Sequence, residues 1–290
     1  MGGFLRRHKR VIPYALLAPG LLWLLLFYVL PGFQMLLTSF WSGTLETGYE
    51  FALSNISNYT DALAKYSAQF LRSILYGGLA TLLTFAISYP LAYTIAFRGG
   101  RFKNLLLFLV VAPFFTSFLL RTISWKIILG DTGIVLGPLK DIGMLPDEFR
   151  LLATPIAVIF GIAYNFLPFM TLPIYVSLEK IDKRLVEAAE DLFATSFGAF
   201  RRVTFPLSLP GVFAGSLLTF IPAMGDYVNA EFLGNPDSRM LGNVIQNRFL
   251  TQNDFPEASA LSFILMGGIL VIVLIYTRVL GTEQLTQSRV

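Results

Sequence analysis

"EKIDKRLVEAAEDLFATSFGAFRRVTFPLSLPG", Glu179 to Gly211, is a charged, alanine-rich stretch set between two long apolar runs. Within it Ile181, Leu185, Ala188, Ala189 and Leu192 recur at helical spacing. Glu187, Glu190 and Asp191 flank that stripe, and Asp182 is placed to cap the first turn. The pattern predicts a short amphipathic helix whose packing face is made of small residues, which let another surface approach closely. A helix of this kind can lie on lipid headgroups or insert into a groove on a cytoplasmic partner. Its exposed acids would be repelled by anionic lipid, and its apolar face is small rather than bulky; both favour docking. A second segment, "GAFRRVTF", leads into "PLSLPG", where Pro206 and Pro210 suit the start of the next apolar run.

Outward from this stretch the chain is apolar. Hydrophobic residues make up 55% of its 290 positions and charged residues only 14%, and the mean hydropathy is +0.65. A soluble domain carries about 25% charged residues, so too few remain to coat one of this length. The fold class expected is an all-α integral membrane protein. A span needs about 20 mainly apolar residues, and six runs qualify: about 11–40, 68–97, 105–129, 151–178, 207–227 and 258–280. A basic tail, 1–10, precedes them. The run after "RRHKR" is too long for a signal-peptide core and reads as an uncleaved anchor. The loop 179–206 and the tail 281–290 complete the division of the chain.

Orientation follows from Lys and Arg in the short loops. With the N-terminus in the cytoplasm, that side holds Arg6, Arg7, Lys9, Arg10, Arg98, Arg101, Lys103, Lys180, Lys183, Arg184, Arg201, Arg202, Arg278 and Arg289. The eight others are scattered along the opposite side. Both termini and the opening stretch are therefore expected in the cytoplasm. The outer segments are acidic, including Asp131, Asp226, Glu231, Asp254 and Glu257, a pattern that would attract cations. The basic balance is explained by this asymmetry, and no nucleic-acid partner is expected. Without cysteine, and with a single His8 in the basic tail, disulfides, thiol catalysis and a histidine-based metal site are excluded.

The segment "EAAEDLFATSFGAFRRVTFPLSLPG" resembles the EAA loop of ABC importer permeases, with Glu187, Ala188, Ala189, Asp191, Leu192, Ala194, Pro206, Leu207, Pro210 and Gly211 at matching positions. The runs "PFFTSFLLRTISW", "YNFLPFMTLPIYVSLEKID", "FIPAMGDYVNAEFLGNPDSRMLGNVIQNRF" and "NDFPEASAL" look like the polyamine branch of that family, the spermidine/putrescine permeases. The resemblance implies a type I importer permease fold in the bacterial inner membrane, and a coupling loop that docks on a separate cytoplasmic ATP-binding subunit. It also implies a second, non-identical permease subunit and an extracytoplasmic solute-binding protein. ATP and Mg would be held by the ATPase; no cofactor is expected on this chain, which has no G-x-x-x-x-G-K-[ST] sequence. The family usually has glycine where this chain has Phe193. Two explanations stand: Gly198 takes over the turn, or Phe193 fills an extra pocket on the partner.

Ionisable groups at membrane depth usually face protein interior or water. Candidates for the substrate path are Asp226 and Glu231 after the fifth run, with Trp125, Tyr164, Tyr175 and Tyr227 as aromatic surface and Asn165 as a polar interruption of the fourth. Ammonium groups suit separated carboxylates and aromatic faces. Each residue also has a plainer role open to it. Asp226 can cap the fifth span, Glu231 can pair with Arg239, and Trp125 and Tyr227 can be interfacial anchors. Arg121 reads as an ion-pair partner. Pro168 and Pro173 can kink the fourth run and expose its backbone carbonyls. The competing classes are an importer permease for another small solute, an ion-coupled secondary transporter and an intramembrane enzyme. The second calls for carboxylates buried mid-span, whereas the readable acids lie at span ends. The third lacks a nucleophile or paired acids.

Overall fold

A computed structural model describes residues 12–44 and 46–280. The expected basic tail, 1–10, and the expected tail, 281–290, lie outside the described residues. The described chain falls into two units, one of residues 12–65 and 247–264, the other of residues 66–246 and 265–280.

In the first unit, α1 (Ile12–Leu24) runs through a π-helical turn, Leu25–Val29, into α2 (Leu30–Thr38). Its leucines are exposed, from Leu16 to Leu30, as they should be for a helix whose solvent is lipid. A hairpin follows, with β1 (Trp41–Thr44) antiparallel to β2 (Gly48–Phe51) and Trp41 paired with Phe51. α3 (Ser57–Arg98) begins here. Its backbone departs from helical geometry at Tyr66, with φ −116° and ψ 19°, so the helix is kinked there. Two acids of this unit are paired: Arg248 Nε lies 2.8 Å from Glu257, Arg248 Nη1 lies 3.3 Å from Asp254, and Lys65 lies 3.0 Å from Glu257.

The second unit holds the rest of α3, then α4 (Lys103–Val111), α5 (Phe118–Ile128), α6 (Leu136–Asp141), α7 (Pro155–Glu179), α8 (Lys183–Asp191), α9 (Ser196–Ala199), α10 (Phe205–Met224) and α11 (Val228–Leu233). α12 (Leu241–Leu250) and α13 (Phe255–Leu280) pass between the two sets of residues. Among the described residues five helices are long and apolar enough to cross a membrane, six if one bent pair counts as a span. That pair is the third expected run. It is not continuous: a 3-10 turn at Ala112–Phe115 and extended Thr116 and Ser117 separate α4 from α5, which meet at 95°. Pro113 brings no N–H to the ladder, and Thr116 turns both its N–H and its hydroxyl onto the Pro113 carbonyl, at 3.2 and 2.7 Å. A hydropathy window registers neither event.

The fourth run behaves in the opposite way. α7 stays one helix through Pro168 and Pro173. Hydroxyls tend its backbone: Thr84 and Ser88 of α3 donate to the carbonyls of Ala163 and Leu167 at 3.3 and 3.4 Å, and Thr171 adds a 2.8 Å bond to Leu167.

α10 lies against α7 along a stripe of small buried residues, Ser208, Gly211, Gly215, Thr219 and Ala223. A Cβ on Gly211 would come within 2.5 Å of the Pro173 carbonyl oxygen and 2.9 Å of the Ile174 Cα. One on Gly215 would meet Met170 at 2.9–3.2 Å. Two glycines four apart let helix backbones touch, the packing that replaces the hydrophobic effect inside a bilayer. The buried side chains form two clusters along this pair. One gathers Tyr76, Ala80, Val158, Ile162, Leu233 and Met240; the other gathers Tyr89, Ile95, Met170, Ile174, Tyr175 and Leu178.

Candidate functional site

The candidate coupling loop is a helical hairpin at the end of the second cluster. Asp182 caps α8, its carboxylate accepting from the Arg184 N–H at 3.0 Å. Glu187, Ala188, Glu190 and Asp191 are exposed along α8 and Ala189 is half-buried. The helix ends in a double hydrogen bond: the Phe193 N–H reaches the Glu190 carbonyl at 3.0 Å and the Ala194 N–H reaches the Ala189 carbonyl at 3.1 Å. This is the Schellman arrangement, whose penultimate position takes a left-handed residue, most often glycine. Here that residue is Phe193, with φ +62°. Gly198 does not take over the turn. It lies inside α9 without a positive φ, and its N–H is bound by the capping hydroxyl of Thr195 at 3.1 Å. Holding a phenylalanine in left-handed geometry costs on the order of 1–2 kcal/mol relative to its ordinary conformations.

The hairpin is fixed to the spans by Phe200. Its ring lies edge-on to Tyr89 and Tyr93 of α3, with centroids 5.8 and 5.9 Å away, and 6.1 Å from Phe205. Sequence periodicity does not single this residue out, because its partners lie more than a hundred positions earlier; an aromatic between two docking segments was the available signal. Nearby, Lys103 pairs with Glu179 and sits 5.2 Å above the Tyr175 ring. Tyr175 is buried here, ten residues and about 15 Å of helix rise from Asn165 and one residue more from Tyr164.

The other candidates meet around α11. Asp226 is buried, and its two oxygens accept from the N–H and the side-chain amide of Asn229, each at 2.8 Å. It therefore caps α11, the short helix that follows the fifth span. The Asn229 oxygen in turn accepts from Asn165 at 3.1 Å and from Thr122 at 3.3 Å. Four side chains from α5, α7, α11 and the turn before it thus form one buried chain of hydrogen bonds. Gly161 makes room for it: a Cβ there would lie 2.7 Å from Asn229 Oδ1 and 2.4 Å from a Leu233 methyl. Asn229 was not among the residues expected from sequence; an asparagine three places after a capping aspartate was the signal.

Trp125 packs edge-on between Phe160 and Tyr164, with centroids 5.1 Å from each. Glu231 and Tyr227 are exposed on α11 and at its start. Glu231 accepts from Asn243 at 3.1 Å, and no ion pair joins it to Arg239 among the described residues. Asn243 also binds the Tyr227 carbonyl, at 2.8 Å. Arg121 has no carboxylate partner among the described residues; its guanidinium lies over the rings of Phe114 and Phe118, at 5.6 and 5.7 Å.

An exposed amphipathic hairpin clamped to helices long and apolar enough to cross a membrane defines a multi-pass membrane protein. Residues 88–282 match the model of the binding-protein-dependent transport system inner membrane components, and the chain belongs to that family. It is 40% identical over 257 residues to the spermidine/putrescine transport system permease protein PotB of Haemophilus influenzae, covering 88% of this chain and 90% of that one. The Escherichia coli PotB protein is 37% identical, with coverage of 88% and 93%. The fold matches a bacterial ABC transporter that imports alginate, with a TM-score of 0.76 and 20% identity over 95% of this chain and 97% of that one. A methionine ABC transporter superposes with a TM-score of 0.56 over 79% of this chain and 98% of that one.

Proposed function

We propose that this chain is one of two permease subunits of an ATP-driven polyamine importer, taking up spermidine or putrescine delivered by a solute-binding protein. What carries the reading is the 40% identity to a spermidine/putrescine permease across 88% of the chain. The loop around α8 docks on a separate ATP-binding subunit, which holds ATP and Mg. Binding and hydrolysis there rock the membrane subunits between outward- and inward-facing states. Both termini are cytoplasmic, by the distribution of Lys and Arg. Reconstitution with its ATPase, second permease and binding protein should give ATP-dependent spermidine uptake. Uptake by this chain alone, driven by an ion gradient, would overturn the reading.

Within this function the two outer acids separate. Glu231, exposed beside Tyr227, is the acid we place on the substrate path. Glu231→Gln is expected to raise the KM for spermidine severalfold with the thermal unfolding midpoint unchanged; unaltered uptake kinetics would remove it from the path. Asp226 is an anchor. Asp226→Asn keeps a cap for the Asn229 N–H but turns an amide donor toward the Asn229 side-chain amide. Losing that one buried bond is expected to cost about 1–3 kcal/mol, measured as a lower unfolding midpoint, with spermidine KM retained.

A further inference from the structure

We propose that Phe193 is an aromatic anchor by which this chain engages its ATP-binding subunit, its ring filling an apolar pocket there. The inference rests on the reading of residues 179–206 as the coupling loop and goes beyond it by naming the side chain that holds the contact. Phe193 stands at φ +62°, fixed by the two hydrogen bonds that close α8. Glycine takes this conformation freely and asparagine readily. A phenylalanine is strained there, and it gains nothing within its own chain, because it is 98% exposed. A strained residue persists where a function is served by it. Leu192 and Phe197 stand beside it, 81% and 72% exposed, so the turn presents three bulky apolar side chains together.

The charges around the turn indicate what covers it. Lys180, Lys183 and Arg184 lie at the end of α8 joined to the span, and Arg201 and Arg202 lie where α9 returns to α10. Between them, next to Phe193, come the exposed acids Glu187, Glu190 and Asp191. Basic residues thus sit nearest the long apolar helices, and the apolar tip is flanked on its α8 side by negative charge that anionic headgroups repel. The complement is a protein surface with an apolar pocket and a basic rim. A bulky aromatic at the centre of a contact, surrounded by neighbours that exclude water, is the anatomy of an interface hot spot.

The test measures binding of the purified cognate ATP-binding subunit to the full chain in lipid nanodiscs. Phe193→Gly is expected to weaken binding about tenfold or more, while the unfolding midpoint of the permease alone stays level or rises. Phe193→Asn, which also tolerates the left-handed turn, should show the same loss, and Phe193→Leu should retain most of the affinity. Unchanged binding in Phe193→Gly, with binding lost in Glu187→Lys, would show that the loop docks without this anchor and would overturn the proposal. Unchanged binding in both would overturn the coupling-loop reading, and the anchor with it.

Discussion

Charge reversal at Glu187 is expected to abolish uptake while leaving the chain folded in the membrane. Glu187 is exposed near the middle of α8, and no ion pair ties it to its own chain among the described residues. Its replacement removes nothing from the packing of the spans. Against the basic rim proposed for the ATP-binding subunit, a lysine there would turn attraction into repulsion. A penalty of about 2 kcal/mol or more for a like-charge contact corresponds to roughly thirtyfold weaker docking. ATP hydrolysis by the ATPase would then run without transport. The measurement is uptake and hydrolysis in the same proteoliposomes, with membrane insertion checked separately. Normal uptake in the Glu187→Lys protein would take the residue out of the coupling mechanism.

The second large effect is structural. Gly211→Leu is expected to prevent stable folding, and Gly211→Ala to destabilise by about 1–3 kcal/mol, as overpacking does. The obstacle is backbone: the Pro173 carbonyl oxygen at 2.5 Å and the Ile174 Cα at 2.9 Å cannot swing aside as a side chain tip can. Moving α7 away would also strain the hydroxyl bonds from Thr84 and Ser88. Unfolding of purified protein in denaturant measures the change, and a Gly211→Ala midpoint equal to the parent would show that the two helices have slack. Gly267, inside α13 with nothing within 4 Å of its added Cβ, is the control position where alanine should be neutral or stabilising by up to about 1 kcal/mol.

The sequence carries some of this directly. Asp182 as a cap and the short helix α8 that follows it follow from local spacing, because cause and effect lie within a turn or two of one another. The break between α4 and α5 was not legible, since apolar content is the same on both sides of a bend. The linkage of Thr122, Asn165 and Asn229 was hidden for another reason. Its members lie 43 and 64 residues apart, and no periodicity relates them. Gly211 was read as the end of a loop motif, whereas its neighbour in space, Pro173, reveals it as a contact point. The same holds at Phe193. Sequence raised the departure from glycine, but only the backbone angle separates a relocated turn from a strained one.

The position of Phe200 has a consequence for how stability is distributed. With its ring held by Tyr89, Tyr93 and Phe205, the α8–α9 hairpin is not a surface loop free to fray by itself. Opening it requires pulling an aromatic out of a packed cluster, so its amide hydrogens should exchange together with those at the ends of α3 and α10, as one cooperative unit. Work delivered to the hairpin is then not dissipated in local unfolding before it reaches the helices.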